Sequence, residues 1–331
     1  MFNNITVIGS GLMGSAIAAH FANIGCKVNL LDIVDSKHEN KNHLSDNAIK
    51  KLLKINPSPL TLKSNINLIN AGNIDEDLNI INDCDWIIEA VIENLEVKKN
   101  LYKKIDKIMK KDLIISSNTS TIPIKLLTQG LSENFKKNFL ITHFFNPPRY
   151  LKLLEIVQSD FLNKDIFKKI ATFCDINLGK TVIKTKDTPG FIGNRIGIFW
   201  IERAAIEAIN FNLTVEEADL IIMKIFNVPK TGIFGLIDVV GLDLIPAVVN
   251  SLLKNIPKDD YYKNGGCYAP RRITRVNAGG AISRHTWGIA IDINTKSTYH
   301  PRVIEIFNEW GFAWGGTWTS PDPMHFELRD Y

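Results

Sequence analysis

Arginine is nearly missing from the first 264 residues of this 331-residue chain, where only Arg149, Arg195 and Arg203 occur. The basic side chains there are lysines, and Lys50, Lys51, Lys54, Lys98 and Lys99 are scattered along predicted helices. That scatter reads first as a solvated face and second as attraction for a phosphate-rich ligand such as coenzyme A. With a net charge of only +4, nucleic acid is a distant third. Cysteine is scarce and unpaired: Cys26, Cys84, Cys174 and Cys267 share no paired spacing, so reduced thiols and a cytoplasmic location are expected. No apolar run approaches the ~20 residues that cross a bilayer, so no membrane partner is expected. The N-terminus goes straight into a strand, without the basic segment, apolar stretch and small-residue cleavage site of a secretory signal. Internal repeats and low-complexity tracts are missing too.

The arginine shortage ends abruptly. From residue 265 onward Arg271, Arg272, Arg275, Arg284, Arg302 and Arg329 stand against the single Lys296, and Trp287, Trp310, Trp314 and Trp318 cluster there. Such a break predicts a domain boundary near "YYKNGGCYAP" and two segments of different origin, a fusion.

The chain opens on "NITVIGSG", a short apolar strand ending at Gly9. Gly11 and Gly14 complete G-x-G-x-x-G, and a helix starting with Leu12 and Met13 runs until Gly25. A second strand, "CKVNLLDI", carries Asp32 near its end. Gly9 permits the tight turn, Gly11 lets backbone approach a pyrophosphate, and Gly14 lets helix and strand pack closely, with the helix N-terminus facing negative charge. Asp32 can accept from both ribose hydroxyls and would repel a 2′-phosphate, which favours NAD over NADP. Alone, the three glycines would be a turn and little else. In this order they predict a Rossmann-type domain.

Further strand–helix units follow. "CDWIIEAV" (84–91) precedes the amphipathic helix "ENLEVKKNLYKKIDKIM", and "DLIISSNTST" (112–121) and "FLITHFFNPP" (139–148) each run from strand into polar loop. His143 falls at the C-terminal end of the last strand, where ligands collect in open parallel sheets. Glu155 stands alone among the apolar residues of "KLLEIV" (152–157). A lone buried acid is costly unless paired, and His143 is its natural partner. Taken singly, a histidine at a strand end is as readily structural, and Asn194 after "PGF" can simply serve the first turn of a helix.

Together "SSNTST", "THFFNPP", "LLEIV" and "DTPGFIGNR" resemble the L-3-hydroxyacyl-CoA dehydrogenases in order and nearly in spacing, over about residues 1–260. The resemblance implies NAD-dependent oxidation of an acyl-CoA substrate in fatty-acid metabolism. His143 would be the acid/base and Glu155 its orienting partner, with Ser120 and Asn194 near the reacting carbon. Glu93 and Lys98 match positions lining the cofactor side of the cleft, as do Leu12, Met13 and Asn118. The chemistry is self-consistent: histidine takes a hydroxyl proton near working pH, and a carboxylate on its far nitrogen fixes the tautomer.

After Asp187 the pattern turns helical, with "GFIGNRIGIFWIERAAIEAIN", "VEEADLIIMKIF" and, beyond "NVPKTGIFGLI", "DVVGLDLIPAVVNSLLKNI". The resemblance implies an all-α domain that covers substrate and makes a homodimer. The sequence departs from that family in one respect: the glycine-rich "GxKxGxGFY"-like ending of that domain does not follow "PKDDYYKN", so a truncated helical domain is expected.

The segment from 265 carries S-x-H-x-x-G-x-A-x-D at 283–292, then "GFAWGG" and "DPMHFE". It is similar to zinc D-alanyl-D-alanine carboxypeptidases and endolysin L,D-peptidases. By that resemblance His285, Asp292 and His325 would hold Zn2+, Asp322 would be the general base, and a peptidoglycan peptide would be the ligand. Two imidazoles, one carboxylate and an open position for water suit hydrolysis. The expected architecture is therefore α/β: a Rossmann-type doubly wound sheet over 1–186, an all-α domain over 187–264, and a small α+β zinc-peptidase-like segment over 265–331.

Overall fold

A computed structural model describes residues 2–226 and 231–240, together with three strands at 290–292, 312–314 and 325–328. The chain divides into two units, Met1–Asn194 and Arg195–Tyr331.

The first unit is built on one sheet. Its strands are β1 (Asn4–Ile8), β2 (Lys27–Asp32), β3 (Ile69–Asn73), β4 (Trp86–Glu89), β5 (Ile114–Ser117), β6 (Phe139–Phe144), β7 (Leu153–Gln158) and β8 (Thr181–Thr185). They lie in the order β3-β2-β1-β4-β5-β6-β7-β8. All neighbours are parallel except β6 and β7, which run antiparallel. The order reverses between β1 and β4, the switch point where doubly wound sheets take ligands.

Central strands are apolar on both faces because helices cover both. Trp86 and Ile88 of β4 join one core cluster with Phe21, Phe144 and Phe173, while Ile87 joins the other with Tyr102, Ile105 and Phe139. The helices of this unit include α1 (Leu12–Ala22), α2 (His43–Leu52), α3 (Leu95–Ile108), α4 (Ile124–Leu127), α5 (Glu133–Lys137) and α6 (Lys164–Ile176). Helix α1 is buried from Gly14 to Ala22, which explains its small side chains. Helix α3 begins at Asn94, whose side chain accepts from the amides of Glu96 and Val97. Its buried face is Lys98, Leu101, Tyr102 and Ile105. Lys98 is therefore not on a solvated face: it is 1% exposed, because helical spacing puts it beside Leu101 and Tyr102.

Two strands, β3 and β8, escape the sequence pattern. They are the sheet's outer edges, and β8 in particular is largely exposed, so neither carries a continuous apolar run.

In the second unit, α7 (Gly193–Asn210, starting at the end of the first unit) and α8 (Val215–Phe226) are helical as expected. Of the expected helix "DVVGLDLIPAVVNSLLKNI", the residues from 241 onward lie outside the described residues; its beginning falls in α9 (Phe234–Val240), which starts earlier than the apolar pattern suggests, at Phe234 instead of Asp238. Asp219 of α8 accepts from the amides of Ile233, Phe234 and Gly235 and so caps it there. Strands β9 (Ala290–Asp292), β10 (Phe312–Trp314) and β11 (His325–Leu328) form an antiparallel sheet in the order β10-β11-β9. No described helix is long and apolar enough to cross a membrane.

Candidate active site

The site lies at the C-terminal ends of the central strands. His143 of β6 faces Glu155 of β7 as its register partner across the antiparallel pair. Nδ1 of His143 lies 2.7 Å from Glu155 Oε2, and both residues are buried. The other oxygen, Oε1, accepts from the amides of Ile192 (2.9 Å) and Gly193 (2.8 Å). The chain turns there through Phe191, which is buried and has φ +47°. Phe191 and Phe145 both pack edge-on to the imidazole. Burial pushes the Glu155 carboxyl up, but the hydrogen bond from His143 and the two amides outweigh it, so Glu155 is held below its ordinary range.

On the far side of the ring, Nε2 of His143 lies 3.1 Å from Ser120 Oγ. Ser120 belongs to a turn gripped by Glu93, whose Oε1 accepts from Thr119 Oγ1 (2.6 Å) and from the amides of Ser120 (2.9 Å) and Thr121 (3.0 Å). Lys98 reaches Glu93 at 3.4 Å. Burial works to raise the Glu93 carboxyl; the Lys98 charge and these donors prevail and hold it below its ordinary range.

The glycine turn follows the C-terminal end of β1, against Ala90 just past the end of β4. A Cβ on Gly14 would stand 1.8 Å from the Gly9 carbonyl oxygen, and one on Gly9 would stand 2.6 Å from that of Ala90. A Cβ on Gly11 would meet nothing within 4 Å, so this is the side open to an incoming group. Leu12 beside it is exposed, while Met13 packs on the core. Asp32 Oδ2 accepts from the Ser10 amide (2.6 Å) and hydroxyl (2.5 Å), and Oδ1 from the Ile33 amide (2.7 Å). Ser10, unremarked in the sequence, thus ties the acid to the turn. A tight glycine cradle, an open flank at a helix N-terminus and an anchored carboxylate fit a dinucleotide.

Residues 4–188 match the 3-hydroxyacyl-CoA dehydrogenase NAD binding domain, and residues 190–276 match the C-terminal domain of the same family. The chain belongs to the 3-hydroxyacyl-CoA dehydrogenase family. It is 44% identical over 260 residues to a Rickettsia prowazekii protein named for a fatty acid oxidation complex trifunctional enzyme, a match covering 78% of this chain and 36% of that one. A Deinococcus radiodurans protein named "Probable 3-hydroxyacyl-CoA dehydrogenase" is 40% identical over 254 residues, covering 77% of this chain and 73% of its own. Among solved structures, the (S)-3-hydroxybutyryl-CoA dehydrogenase of Ralstonia eutropha superposes with a TM-score of 0.64 at 27% identity, covering 79% of this chain and 90% of that chain. The chain spans about a third of the length of the first curated relatives it matches. Residues 277–328 match a different family, D-alanyl-D-alanine carboxypeptidase.

In this dehydrogenase-family domain the structure brings His143, Glu155, Ser120, Glu93 and Lys98 into one connected network. Asn118 is next to it but spends its Oδ1 on the Phe144 amide (2.9 Å), joining β5 to β6. Asn194 is half-buried in the first turn of α7 and, among the described residues, makes no hydrogen bond to Ser120 or His143. Glu89 is the residue that sequence reading missed. It sits in "WIIEA", and the argument that finds Glu155, an acid alone in an apolar run, would have found it as well.

Of the expected zinc ligands, His285 lies outside the described residues, as does the expected base Asp322. Asp292 and His325 are register partners across β9 and β11. Among the described residues there is no group of three or more His, Cys, Asp or Glu able to hold a metal ion.

Proposed function

We propose that this chain oxidises an L-3-hydroxyacyl-CoA to the 3-oxoacyl-CoA with NAD, in the cytoplasm, as a step of fatty-acid β-oxidation. The observation that carries the reading is the imidazole of His143, held by Glu155 on Nδ1 and approached by Ser120 on Nε2. With Nδ1–H donated to the carboxylate, Nε2 is left as the base for a substrate hydroxyl proton. The low-lying Glu155 carboxylate then stabilises the imidazolium. Ser120 and, in this reading, Asn194 supply donors to the developing carbonyl oxygen. Gly9, Gly11, Leu12, Met13, Gly14, Asp32, Glu93, Lys98 and Asn118 would hold NAD, which supplies the hydride acceptor when bound.

The division into 1–186, 187–264 and 265–331 is part of the same reading, as is a homodimer through the helical domain. The deciding experiment follows NADH consumption by the purified chain with acetoacetyl-CoA. Turnover lost in His143→Gln with NADH still bound supports the proposal, whereas equal turnover in both proteins removes it.

A second reading, a zinc-dependent peptidoglycan peptidase in 265–331, is favoured by the register pairing of Asp292 with His325 and by the family match there. It predicts one zinc per chain, lost in His285→Ala. Purified chain without stoichiometric zinc, or with zinc unaffected by that change, refutes it.

A further inference from the structure

Behind the site lies a buried carboxylate, Glu89, that the mechanism above does not use. Glu89, at the end of β4, is 0% exposed and accepts four hydrogen bonds. Oε1 takes the Val91 amide (2.8 Å) and Lys98 Nζ (2.6 Å); Oε2 takes the hydroxyls of Tyr102 (2.5 Å) and Ser117 (2.6 Å). A buried carboxylate survives only when every lone pair is engaged, and here all are. Burial first, and the Glu89 charge second, raise the Tyr102 phenol well above its ordinary value, so it remains a donor.

Two paths lead from Glu89 to the active-site turn. Along one, Lys98 bridges to Glu93 at 3.4 Å, and Glu93 holds three consecutive residues, Thr119 to Thr121, by one oxygen. Along the other, Ser117 Oγ, which donates to Glu89, accepts from the Thr119 amide at 3.2 Å. Both end where Ser120 Oγ meets His143 at 3.1 Å. Glu93 is 39% exposed and spends Oε1 on the turn, while Lys98, 1% exposed and closer to Glu89 than to Glu93, links the two carboxylates.

We propose that Glu89 is a positioning residue for the Ser120 hydroxyl, acting through Lys98–Glu93 and through Ser117 to aim it at His143 Nε2. The inference rests on the dehydrogenase reading for its consequence in turnover, but its geometry can be tested without it.

The test uses the full chain with 15N-labelled histidine and no added cofactor, reading the His143 Nε2 resonance at one fixed alkaline pH. Four proteins are compared: wild type, E89Q, S120A and the double variant. Loss of the Ser120 hydroxyl should move the resonance, E89Q should move it in the same direction, and the double variant should move it no further than S120A alone. In turnover with acetoacetyl-CoA, E89Q should cost on the order of tenfold in the wild-type background and nothing in S120A. An E89Q resonance equal to wild type, a shift that adds in full to that of S120A, or an S120A resonance equal to wild type overturns the proposal. Should E89Q fail to fold by circular dichroism, S117A and Y102F each strip one donor from Glu89, and the same non-additivity with S120A is required. A wild-type chain without turnover counts against the dehydrogenase reading, while the resonances still decide this one.

Discussion

Glu155 stands directly opposite His143 across the one antiparallel pair in the sheet, its Oε2 2.7 Å from Nδ1 and its Oε1 held by two amides. The carboxylate is thus fixed from behind and can impose one tautomer on the ring. Glu155→Gln keeps the shape but replaces an acceptor with an amide that can present its donor. Turnover should fall by about 10²–10⁴-fold, with NADH affinity unchanged. Equal loss of NADH binding, measured by fluorescence titration, would show that Glu155 supports the cofactor fold instead.

The same pair makes a pH prediction. Glu155 titrates below its ordinary 4.5 in the folded chain, so its contribution to stability is fully present above that pH and is lost as pH falls through the folded value. Urea midpoints measured from neutral pH down to pH 3 should show wild type losing its margin over Glu155→Gln on the acid side. Parallel curves would contradict this.

His20 acts in a higher window. It is 8% exposed in α1, and burial, helped by the Lys180 charge, drives its imidazole from 6.5 to about 3, against a weaker opposite pull from the Leu178 backbone. Between those values the unfolded chain binds a proton that the folded chain refuses. Stability therefore falls as pH drops below 6.5, by at most about 1.4 kcal/mol per pH unit. His20→Leu should flatten that slope, and an unchanged slope between pH 6.5 and pH 5 would refute the assignment.

Two glycines three residues apart, Gly11 and Gly14, should respond differently. Alanine at Gly14 forces a Cβ against the backbone oxygen of Gly9 at 1.8 Å, so the turn must open; a loss of roughly 1–3 kcal/mol and of NADH binding is expected. Alanine at Gly11, with nothing within 4 Å, should leave the melting temperature of the cofactor-free chain near wild type and weaken NADH alone. Equal melting losses in the two variants would show that the cradle is not what separates them.

Asp32 receives both the amide and the hydroxyl of Ser10, so Ser10→Ala should loosen NADH by about one hydrogen bond, roughly tenfold or less. Asp32→Asn should in addition raise the use of NADPH relative to NADH, because it removes the charge that opposes a 2′-phosphate. A steady-state comparison of the two cofactors checks both, and an unchanged ratio in Asp32→Asn would contradict the role given to its charge.

The local pattern of the sequence was enough to determine the beginning of this fold. A strand, three spaced glycines, a helix and a strand ending in Asp32 are read within thirty-two residues, because each depends on neighbours in the chain. The isolated acid in "LLEIV" likewise announces a buried partner, since an unpaired carboxylate in an apolar strand is not tolerated. The edge strands β3 and β8 were not legible, because half-exposed edges need no apolar run.

Only the tertiary structure decided how the partners meet. Nothing in the residues from 139 to 158 dictates that β7 runs antiparallel to β6, yet that direction and register put His143 and Glu155 on the same face. Nor does a lysine in an amphipathic helix declare that it is buried between Glu89 and Glu93. Periodicity records how deeply a side chain is buried along its own element. Which charge it then meets depends on strand direction and register between segments distant in sequence, and those are set only when the sheet assembles.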